Sequence, residues 1–350
     1  MLVSKGKKLN VLYFSCHEIL EYDDLRMLVD AGHNVFSIGS FMDKSSQTMD
    51  LRKAKEEFFQ KNLFEEFHKT GCSLQFKTVT KEFCKNFDLV IINHFPILFT
   101  VNRDAFGDLP VIMRTIGQST HLIEKEYSQF ADRVHIVRYS ETERNAPGFS
   151  KTDSVIYFGK NPNDYLPWRG GSGGLSFHNG FAARNSISFP DVGTWQRINE
   201  RTGSRLYGAW NDGILNAGGV VSPEDMGTLM QEASFYLYIY SRPPSYTLSV
   251  LEAMMAGLPI LAPSAQFVVQ QGCAVDDAWF PARYEVPTFL AEGGGATYNT
   301  LDEAIELAHT IQNDRTMAER MSKSARATAM SRFDSEKIRQ QWADLISSIC

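Results

Sequence analysis

Short apolar strands that alternate with amphipathic helices constrain this chain more than any other feature of its sequence. The pattern predicts a strand at Leu9–Ser15, a helix at Leu20–Ala31 that ends at Gly32, and a second strand at Asn34–Ile38. A strand–helix–strand unit predicts parallel strands joined by a helical crossover. The alternation continues with a predicted helix and four strands: Asp50–Lys69, Phe87–Ile92, Val111–Thr115, Val134–Arg138 and Val155–Phe158. The first half therefore reads as a doubly wound α/β domain.

A Pro- and Gly-rich segment, Asn161–Gly174, interrupts this alternation and is interpreted as an interdomain linker. Its GGSGG string matches GxSxG, but the strand that a nucleophile elbow requires does not precede it. The alternation then restarts with these predicted strands and helices: Leu175–His178, Arg205–Tyr207, Ser234–Tyr240, Leu248–Ala256, Pro259–Ala262, Leu301–Ile311, Arg315–Ser331 and Ser335–Ile349. Two α/β domains are expected, with ligands at the carboxyl ends of their strands.

The charge balance limits the classes of partner. The 350 residues carry 35 basic and 41 acidic side chains, for a net charge of −6. Residues 1–163 carry 21 of each sign, so the excess of negative charge lies entirely in residues 164–350, with 14 basic and 20 acidic side chains. This balance argues against a nucleic-acid binder driven by bulk charge, although it leaves room for a local basic groove.

Cysteine usage and hydropathy predict a soluble, cytosolic protein. The cysteines are Cys16, Cys72, Cys84, Cys273 and Cys350, an odd number without a CxxC pair. This arrangement favours thiols in a reducing compartment over a disulfide framework or a zinc site. The apolar run Val11–Cys16 is too short for a signal peptide, and no run approaches the roughly 18 apolar residues of a membrane span.

Several common motifs are absent from the sequence. There is no GxGxxG dinucleotide fingerprint, no GxxxxGK[ST] phosphate loop and no HExxH zinc helix. Two aspartates spaced Asp-x-Asp, which hold a metal-bound diphosphate in one large class of sugar transferases, do not occur either. No resident metal or cofactor is therefore expected.

The most informative segment is YLYIYSRPPSYTLSVLEAMMAGLPILAP, residues 236–263. Thr247 or Ser249 is expected to cap a helix that ends at Gly257. The amino end of such a helix presents unpaired amides and a partial positive charge, which suits a phosphate. Glu252 lies one turn further along among apolar residues. A buried carboxylate needs partners, and the two vicinal hydroxyls of a ribose would suit it. The alternating Tyr236, Tyr238 and Tyr240 are interpreted as sheet packing.

This segment resembles the hallmark of the retaining glycosyltransferases of family 4, EGFGLxxLEAMAxGLPVVA. Aligned on LEAMMAGLPILA, the second motif glutamate, which binds the donor ribose in the family, is Glu252. The first motif glutamate, which contacts the donor sugar, falls on Pro244. The resemblance continues at lower specificity through DAGHNVFS (30–37), DLVIINH (88–94), RYSETER (138–144), VIYFGKNPNDY (155–165), 205–226 and SRFDSEK (331–337).

The resemblance implies an α/β GT-B fold, in which two Rossmann-like doubly wound domains face a cleft. The expected acceptor-side domain covers residues 1–163 and the nucleotide-sugar-binding domain residues 164–333. Residues 334–350 are expected to form a helix that crosses back to the first domain. The implied reaction moves a hexosyl or related sugar from a nucleoside diphosphate, UDP or GDP, to an acceptor hydroxyl, with retention and without a metal.

The resemblance and the strand-end positions together define the candidate site. Arg184 and His94 are the expected catalytic residues, since Arg184 can offset the leaving diphosphate and His94 matches a histidine that approaches the transferred sugar. The expected donor-binding residues are Glu252, Tyr246, Thr247, Leu248, Ser249, Gly208, Pro223 and Arg242. The expected sugar and acceptor side comprises Ser15, Cys16, His17, Glu18 and Gly117.

Two departures from the family pattern leave alternatives open. Pro244 replaces the first motif glutamate, and no lysine accompanies Arg184, although Arg242 could compensate. A nucleotide- or glycan-binding protein of the same fold that has lost transfer activity is one alternative. A transferase that glycosylates a modified base in DNA is another, and the neutral first half does not support it. The acceptor, a glycan, a small molecule or modified DNA, stays open.

Overall fold

The computed structural model describes residues 7–42, 60–144, 146–271 and 283–350. Its strands are β1 Asn10–Phe14, β2 Asn34–Ile38, β3 Leu89–Asn93, β4 Val111–Arg114, β5 His135–Arg138, β6 Ser154–Val155, β7 Gly174–Phe177, β8 Ser188–Phe189, β9 Arg205–Tyr207, β10 Phe235–Leu237, β11 Tyr240–Ser241, β12 Ile260–Pro263 and β13 Gly295–Tyr298.

The helices are α1 Glu18–Asp30, α2 Lys61–Lys69, α3 Lys81–Cys84, α4 Pro96–Phe106, α5 His121–Ser128, α6 Glu141–Arg144, α7 Val192–Thr202, α8 Pro223–Glu232, α9 Leu248–Ala256, α10 Ala265–Gln270, α11 Val286–Leu290, α12 Leu301–Asn313, α13 Arg315–Arg332 and α14 Ser335–Ile349. Much of the helix predicted at Asp50–Lys69, up to residue 59, lies outside the described residues, as does Cys273. The other four cysteines are free thiols.

The chain divides into two compact units. The first comprises residues 1–159 and 335–350, and the second comprises residues 160–334. The first unit contains a six-stranded parallel sheet in the order β2-β1-β3-β4-β5-β6. Strands β1 and β3 are apolar on both faces because helices cover both sides of the sheet, as parallel sheets require.

The last helix, α14, packs on the first unit. Ile338, Trp342, Leu345 and Ile346 are buried in one apolar cluster with Leu25 and Leu28 of α1. Gly159 ends the first unit against this helix, where a Cβ atom would lie 2.6 Å from the sulfur of Met27 and 3.2 Å from Cβ of Ile338. The strand predicted at Val155–Phe158 is shorter in the structure, where β6 covers Ser154–Val155.

The second unit is built on a five-stranded parallel sheet in the order β13-β12-β10-β7-β9. The predicted strand Ser234–Tyr240 is wrong in one respect, because it divides between two sheets. β10 ends at Leu237, whereas Tyr240 and Ser241 form β11, which pairs antiparallel with β8. Tyr236, Tyr238 and Tyr240 are fully buried and succeed one another at ring-centroid distances of 6.4 Å.

Candidate functional site

The site residues of the second unit follow from its strand order. The chain runs from β7 outward to β9 and then returns to β10 on the other side of β7. The loops that leave β7 and β10 therefore diverge, and such a switch point is where doubly wound sheets bind ligands. His178 follows β7, Gly208 follows β9, and Ser241 lies just beyond β10.

A histidine and two serines connect these loops. Nε2 of His178 lies 2.6 Å from Oγ of Ser241, which in turn lies 2.6 Å from Oγ of Ser188. Burial, together with the nearby charge of Arg184, lowers the pKa of His178 to about 4, so its ring is neutral near pH 7. His178 was not predicted from the sequence, although its position directly after an apolar strand was a signal for it.

Gly208 lies at a position where the neighbouring backbone leaves no room for a side chain. Its φ is +134°, and an added Cβ atom would lie 2.2 Å from the carbonyl oxygen of His178. The side chain of Asn211 holds the same two loops together, since it donates to the carbonyl of His178 at 2.6 Å and accepts from the amide of Phe181 at 2.9 Å. Pro223 lies further along, exposed in the first turn of α8.

Arg184 lies in the loop after β7. Its amide donates to the carbonyl of Gly180 at 3.0 Å, and its side chain is exposed. Within the described residues, that side chain makes no hydrogen bond or ion pair, yet its charge reaches His178. Arg242 is half-buried directly after Ser241, and its amide donates to the carbonyl of Ile187 at 3.0 Å.

The start of α9 differs from the expectation of a side-chain cap. Thr247 occupies the N-cap position, but neither hydroxyl caps the helix. Instead, Oγ1 of Thr247 lies 2.9 Å from Oγ of Ser249. Leu248 begins the helix half-buried. The capping prediction for Thr247 and Ser249 is therefore wrong, and the first amides of α9 are left without a side-chain cap.

Tyr246, which was expected beside the donor, has a packing role. Its side chain is 1% exposed, and its ring lies edge-on to Phe289 with a centroid distance of 5.4 Å. Phe333 packs on the same cluster at 6.1 Å. The ring of Tyr246 thus anchors the segment before α9 in the core of the second unit.

Glu252 is buried on α9 with protein partners already in place. Its side chain is 4% exposed, and its Oε1 accepts a hydrogen bond of 2.8 Å from the ammonium group of Lys160, whose side chain is 1% exposed. The hydroxyl of Tyr165 lies 3.5 Å from the same oxygen. Lys160 was not predicted from the sequence, because it lies 92 residues from Glu252, directly before the segment interpreted as a linker.

The first-unit residues also collect at a switch point, because β1 and β3 are neighbours whose connections leave in opposite directions. Ser15 to Glu18 follow β1, and Oγ of Ser15 accepts from the amide of His17 at 3.3 Å. Burial raises the pKa of the Cys16 thiol to about 12, so it is not a thiolate near neutral pH. Burial, and then the charge of Glu21, raises the pKa of Glu18.

Two residues that the sequence analysis did not select support this loop. The buried carboxylate of Glu21 accepts from the hydroxyl of Ser37 at 2.6 Å and from the amide of Ser40 at 2.8 Å. The ammonium group of Lys77 donates to the carbonyl of Ser15. The two contacts of Glu21 tie α1 to β2 and to the chain after it, whereas the contact of Lys77 fixes the backbone directly after β1.

His94 directly follows β3 and is held in a left-handed conformation, with φ at +66°. Its amide donates to the carbonyl of Arg114 at 2.8 Å, and its carbonyl accepts from the hydroxyl of Tyr127. The side chain is 2% exposed, and burial lowers its pKa to about 4 despite the charge of Glu124. Gly117 is buried one strand further along, after β4, with φ at +90°.

The low pKa of His94 leads to a testable pH dependence. We expect imidazole NMR to show a neutral His94 ring at pH 5, which is above its pKa of about 4. Because the folded pKa lies below the unfolded value near 6.5, stability is unaffected above pH 6.5. It should fall by up to about 3 kcal/mol between pH 6.5 and 4.

A His94→Gln variant is the control for this titration. It should lose that part of the acid sensitivity, as measured by hydrogen exchange of β3 amides at several pH values. A His94 ring that titrates near pH 6.5 would contradict the assignment.

The structure thus gathers the predicted residues, together with His178, into two sets in different units. His178, Arg184, Gly208, Arg242 and the start of α9 belong to the second unit, with Glu252 one turn further along. Ser15–Glu18 and His94 lie at adjacent strand ends of the first unit. Within the described residues, no group of histidine, cysteine and carboxylate side chains could hold a metal ion. No helix in the described ranges is long and apolar enough to cross a membrane.

Known proteins resemble this chain in part of its sequence and in its fold. Residues 192–344 match a family model described as glycosyl transferase-like. The sequence matches no curated protein. Sucrose-phosphate synthase from Thermosynechococcus elongatus has a similar structure, with a TM-score of 0.65 at 13% identity over 98% of this chain and 99% of that one.

Two further solved structures agree with this result. Anabaena HepE in complex with UDP-glucose matches with a TM-score of 0.63 at 15% identity, over 97% of this chain and all of that one. A glycosyltransferase from Rickettsia africae matches with a TM-score of 0.63 at 12% identity, over 98% and 99% of the two chains. The chain has the GT-B fold. The fold class predicted from the sequence is therefore confirmed. Sequence identities this low show a shared fold and nothing further.

Proposed function

We propose that this GT-B protein is a glycosyltransferase that moves a sugar from a nucleoside diphosphate to an acceptor hydroxyl. The observation that carries the proposal is Glu252, the motif carboxylate, buried on α9 beside a helix start without a side-chain cap. This helix lies within residues 192–344, the part that matches the glycosyl transferase-like family model.

In the proposed donor site, each group of the second unit has a physical task. The carboxylate of Glu252 accepts hydrogen bonds from the ribose hydroxyls. The first amides of α9 and the guanidinium of Arg184 face the diphosphate, because both favour negative charge. Gly208 and Pro223 belong to the loop proposed to border the base.

The chemistry proposed for Arg184 is stabilisation of the leaving group. When the bond between the anomeric carbon and the diphosphate oxygen breaks, negative charge accumulates on the diphosphate, and a fixed guanidinium lowers the energy of that state. His178 beside it is neutral, so it can take part through a hydrogen bond without adding charge. Arg242 supplies a second cation on the segment that leads to α9.

On the sugar and acceptor side, Ser15–Glu18, Gly117 and His94 are the proposed contacts. The ring of His94 is neutral and can therefore accept or donate a hydrogen bond to a sugar hydroxyl. Retention, a hexose as the transferred group and independence of metal are part of the proposal, by resemblance to family 4. They predict a product with the anomeric configuration of the donor and a rate that EDTA does not change.

A specific observation favours a second candidate function. Pro244 stands where the family has its first motif glutamate, so the contact to the donor sugar is missing from this position. A protein that binds the nucleotide or a glycan but does not transfer the sugar would fit this loss. The decisive difference from a transferase is turnover.

A thermal-shift panel of UDP, GDP, ADP and their sugars tests the proposal. UDP-glucose is the first donor to try, since HepE has the same fold and its structure contains that compound. One base series should stabilise the protein, and release of the matching nucleoside diphosphate in the presence of acceptor glycans should follow. The variant Glu252→Gln should reduce the shift strongly, whereas Glu292→Gln, at a 46% exposed carboxylate of the same unit, should not.

The results separate the candidates. Stabilisation without turnover on any acceptor would favour the binding protein. Absence of stabilisation by every nucleotide would contradict the transferase and the nucleotide-binding protein, and would leave only the glycan-binding protein.

A further inference from the structure

We propose that Lys160 is a positioning residue for donor binding, which keeps the carboxylate of Glu252 ionised and aimed at the ribose. The inference rests on the proposed function and concerns a residue outside the motif. Lys160 and Glu252 are 1% and 4% exposed, and the ammonium nitrogen lies 2.8 Å from Oε1. The two residues are 92 positions apart in the sequence, so the tertiary fold brings them into contact.

The surroundings of Glu252 explain why a cation is needed there. The other residues of α9 from Val250 to Ala256 are apolar and buried. An isolated carboxylate in such an environment favours the protonated form, which cannot accept hydrogen bonds with both oxygens. Two vicinal ribose hydroxyls are donors, and they bind best to an ionised carboxylate. Lys160 supplies the compensating charge.

The backbone of Lys160 is fixed independently of its side chain. Its amide donates to the carbonyl of Phe333 at 2.7 Å, and residue 160 forms a parallel bridge with Asp334. These are the first and the last residues of the second unit. The ammonium group therefore extends from a fixed point to Oε1, and the hydroxyl of Tyr165 lies 3.5 Å from the same oxygen.

Among the titratable groups around Glu252 in the described residues, Lys160 is a direct charge partner. Tyr165 and Tyr236 face the carboxylate, and burial raises the pKa of Tyr236 well above its usual range, so that phenol stays neutral. Arg326 of α13 donates to the carbonyl of Met255, near the other end of α9. Helix α8, which also packs on α9, carries its acidic residues Glu224, Asp225 and Glu232 exposed.

The test compares nucleotides that differ in the ribose alone. Dissociation constants are measured by calorimetry for UDP, GDP or ADP, whichever stabilises the protein, and for its 2′,3′-dideoxy counterpart. Wild-type protein should prefer the ribonucleotide about tenfold to a hundredfold at every pH from 5.5 to 8.5, the range expected for hydrogen bonds to a charged group. Glu252→Gln should reduce this preference to less than about threefold.

Lys160→Met should give a preference that depends on pH. It should be smaller at pH 5.5, because loss of the ammonium group favours the protonated carboxyl, and rise toward the wild-type ratio by pH 8.5. The ratio of two dissociation constants is insensitive to the folded fraction, so a purely structural role would weaken both nucleotides equally. Lys85→Met, which removes the exposed partner of Glu82, should keep the wild-type ratio.

The outcomes distinguish the two proposals. If Lys160→Met does not fold, Lys160→Gln, which retains a hydrogen-bond donor, should show the same pH dependence. A lysine variant that keeps a wild-type, pH-independent preference overturns the role of Lys160 and leaves the proposed function intact. Wild-type protein that binds no nucleotide overturns the proposed function itself.

Discussion

Replacing Arg184 by alanine is expected to lower kcat/KM for sugar transfer by about 100- to 1,000-fold, the cost of removing one fixed group that stabilises developing negative charge. The loss should appear in kcat, because that charge accumulates when the diphosphate departs. Folding stability should change little, because the side chain is exposed and makes no hydrogen bond or ion pair among the described residues. Initial rates of nucleoside diphosphate release over a range of donor concentrations provide the measurement.

Matched variants make this result specific. Arg205→Ala removes another exposed arginine of the same unit, at the start of β9, and should leave the rate unchanged. Arg184→Lys keeps the charge without the planar fork and should retain an intermediate rate. Equal rates for Arg184→Ala and wild type would remove Arg184 from the proposed mechanism and shift attention to Arg242.

The sequence predicted the bounds of those helices that have a local sequence signal, such as a terminating glycine or a regular apolar spacing. Helix α9 was predicted with the observed bounds, because Gly257 ends it in the left-handed conformation with φ at +79°. Helix α14 was also predicted with its observed bounds from its apolar spacing. The division of Ser234–Tyr240 into β10 and β11 was not predictable, because β11 depends on pairing with β8, some 50 residues earlier.

In the candidate site too, local sequence patterns predicted single residues but not the contacts between distant segments. Glu252, Gly208 and the start of α9 could be selected from the sequence, since a motif and strand-end positions mark them. The partners of these residues could not, because Lys160 reaches Glu252 and Ser241 reaches His178 through contacts between distant segments. The expected caps, Thr247 and Ser249, instead bond to each other. Local propensity cannot decide between such competing partners.

The second large effect concerns a buried ion pair of the first unit. Replacing Arg138 by methionine should destabilise this unit by about 3–5 kcal/mol, because it leaves the carboxylate of Glu124 buried without its cation. The two side chains are 0% and 1% exposed and form a bidentate pair with distances of 2.7 and 2.9 Å. The guanidinium also lies 4.7 Å from the ring centroid of Phe149. Hydrogen exchange of β5 amides measures the loss in this unit separately.

The neighbouring pair Arg144–Glu141 is the control. Its side chains are 44% and 51% exposed, so Arg144→Met should cost less than about 1 kcal/mol. A combined Arg138→Met and Glu124→Leu variant should recover part of the loss, since no buried charge then remains without a partner. Comparable costs for Arg138→Met and Arg144→Met would show that the buried pair contributes no more than the exposed one.

The pH dependence gives an independent test of the same pair. Burial alone would raise the pKa of Glu124, but the hydrogen bonds and the charge of Arg138 outweigh burial, so the pKa lies below its usual value of 4.5. The pair's contribution is therefore complete above pH 4.5 and is lost as the pH falls through the lower folded pKa. Wild-type β5 amides should exchange faster below pH 4.5 after correction for the intrinsic rate. Arg138→Met should lack this low-pH transition, because the unpaired carboxyl protonates at higher pH in the folded state than in the unfolded chain.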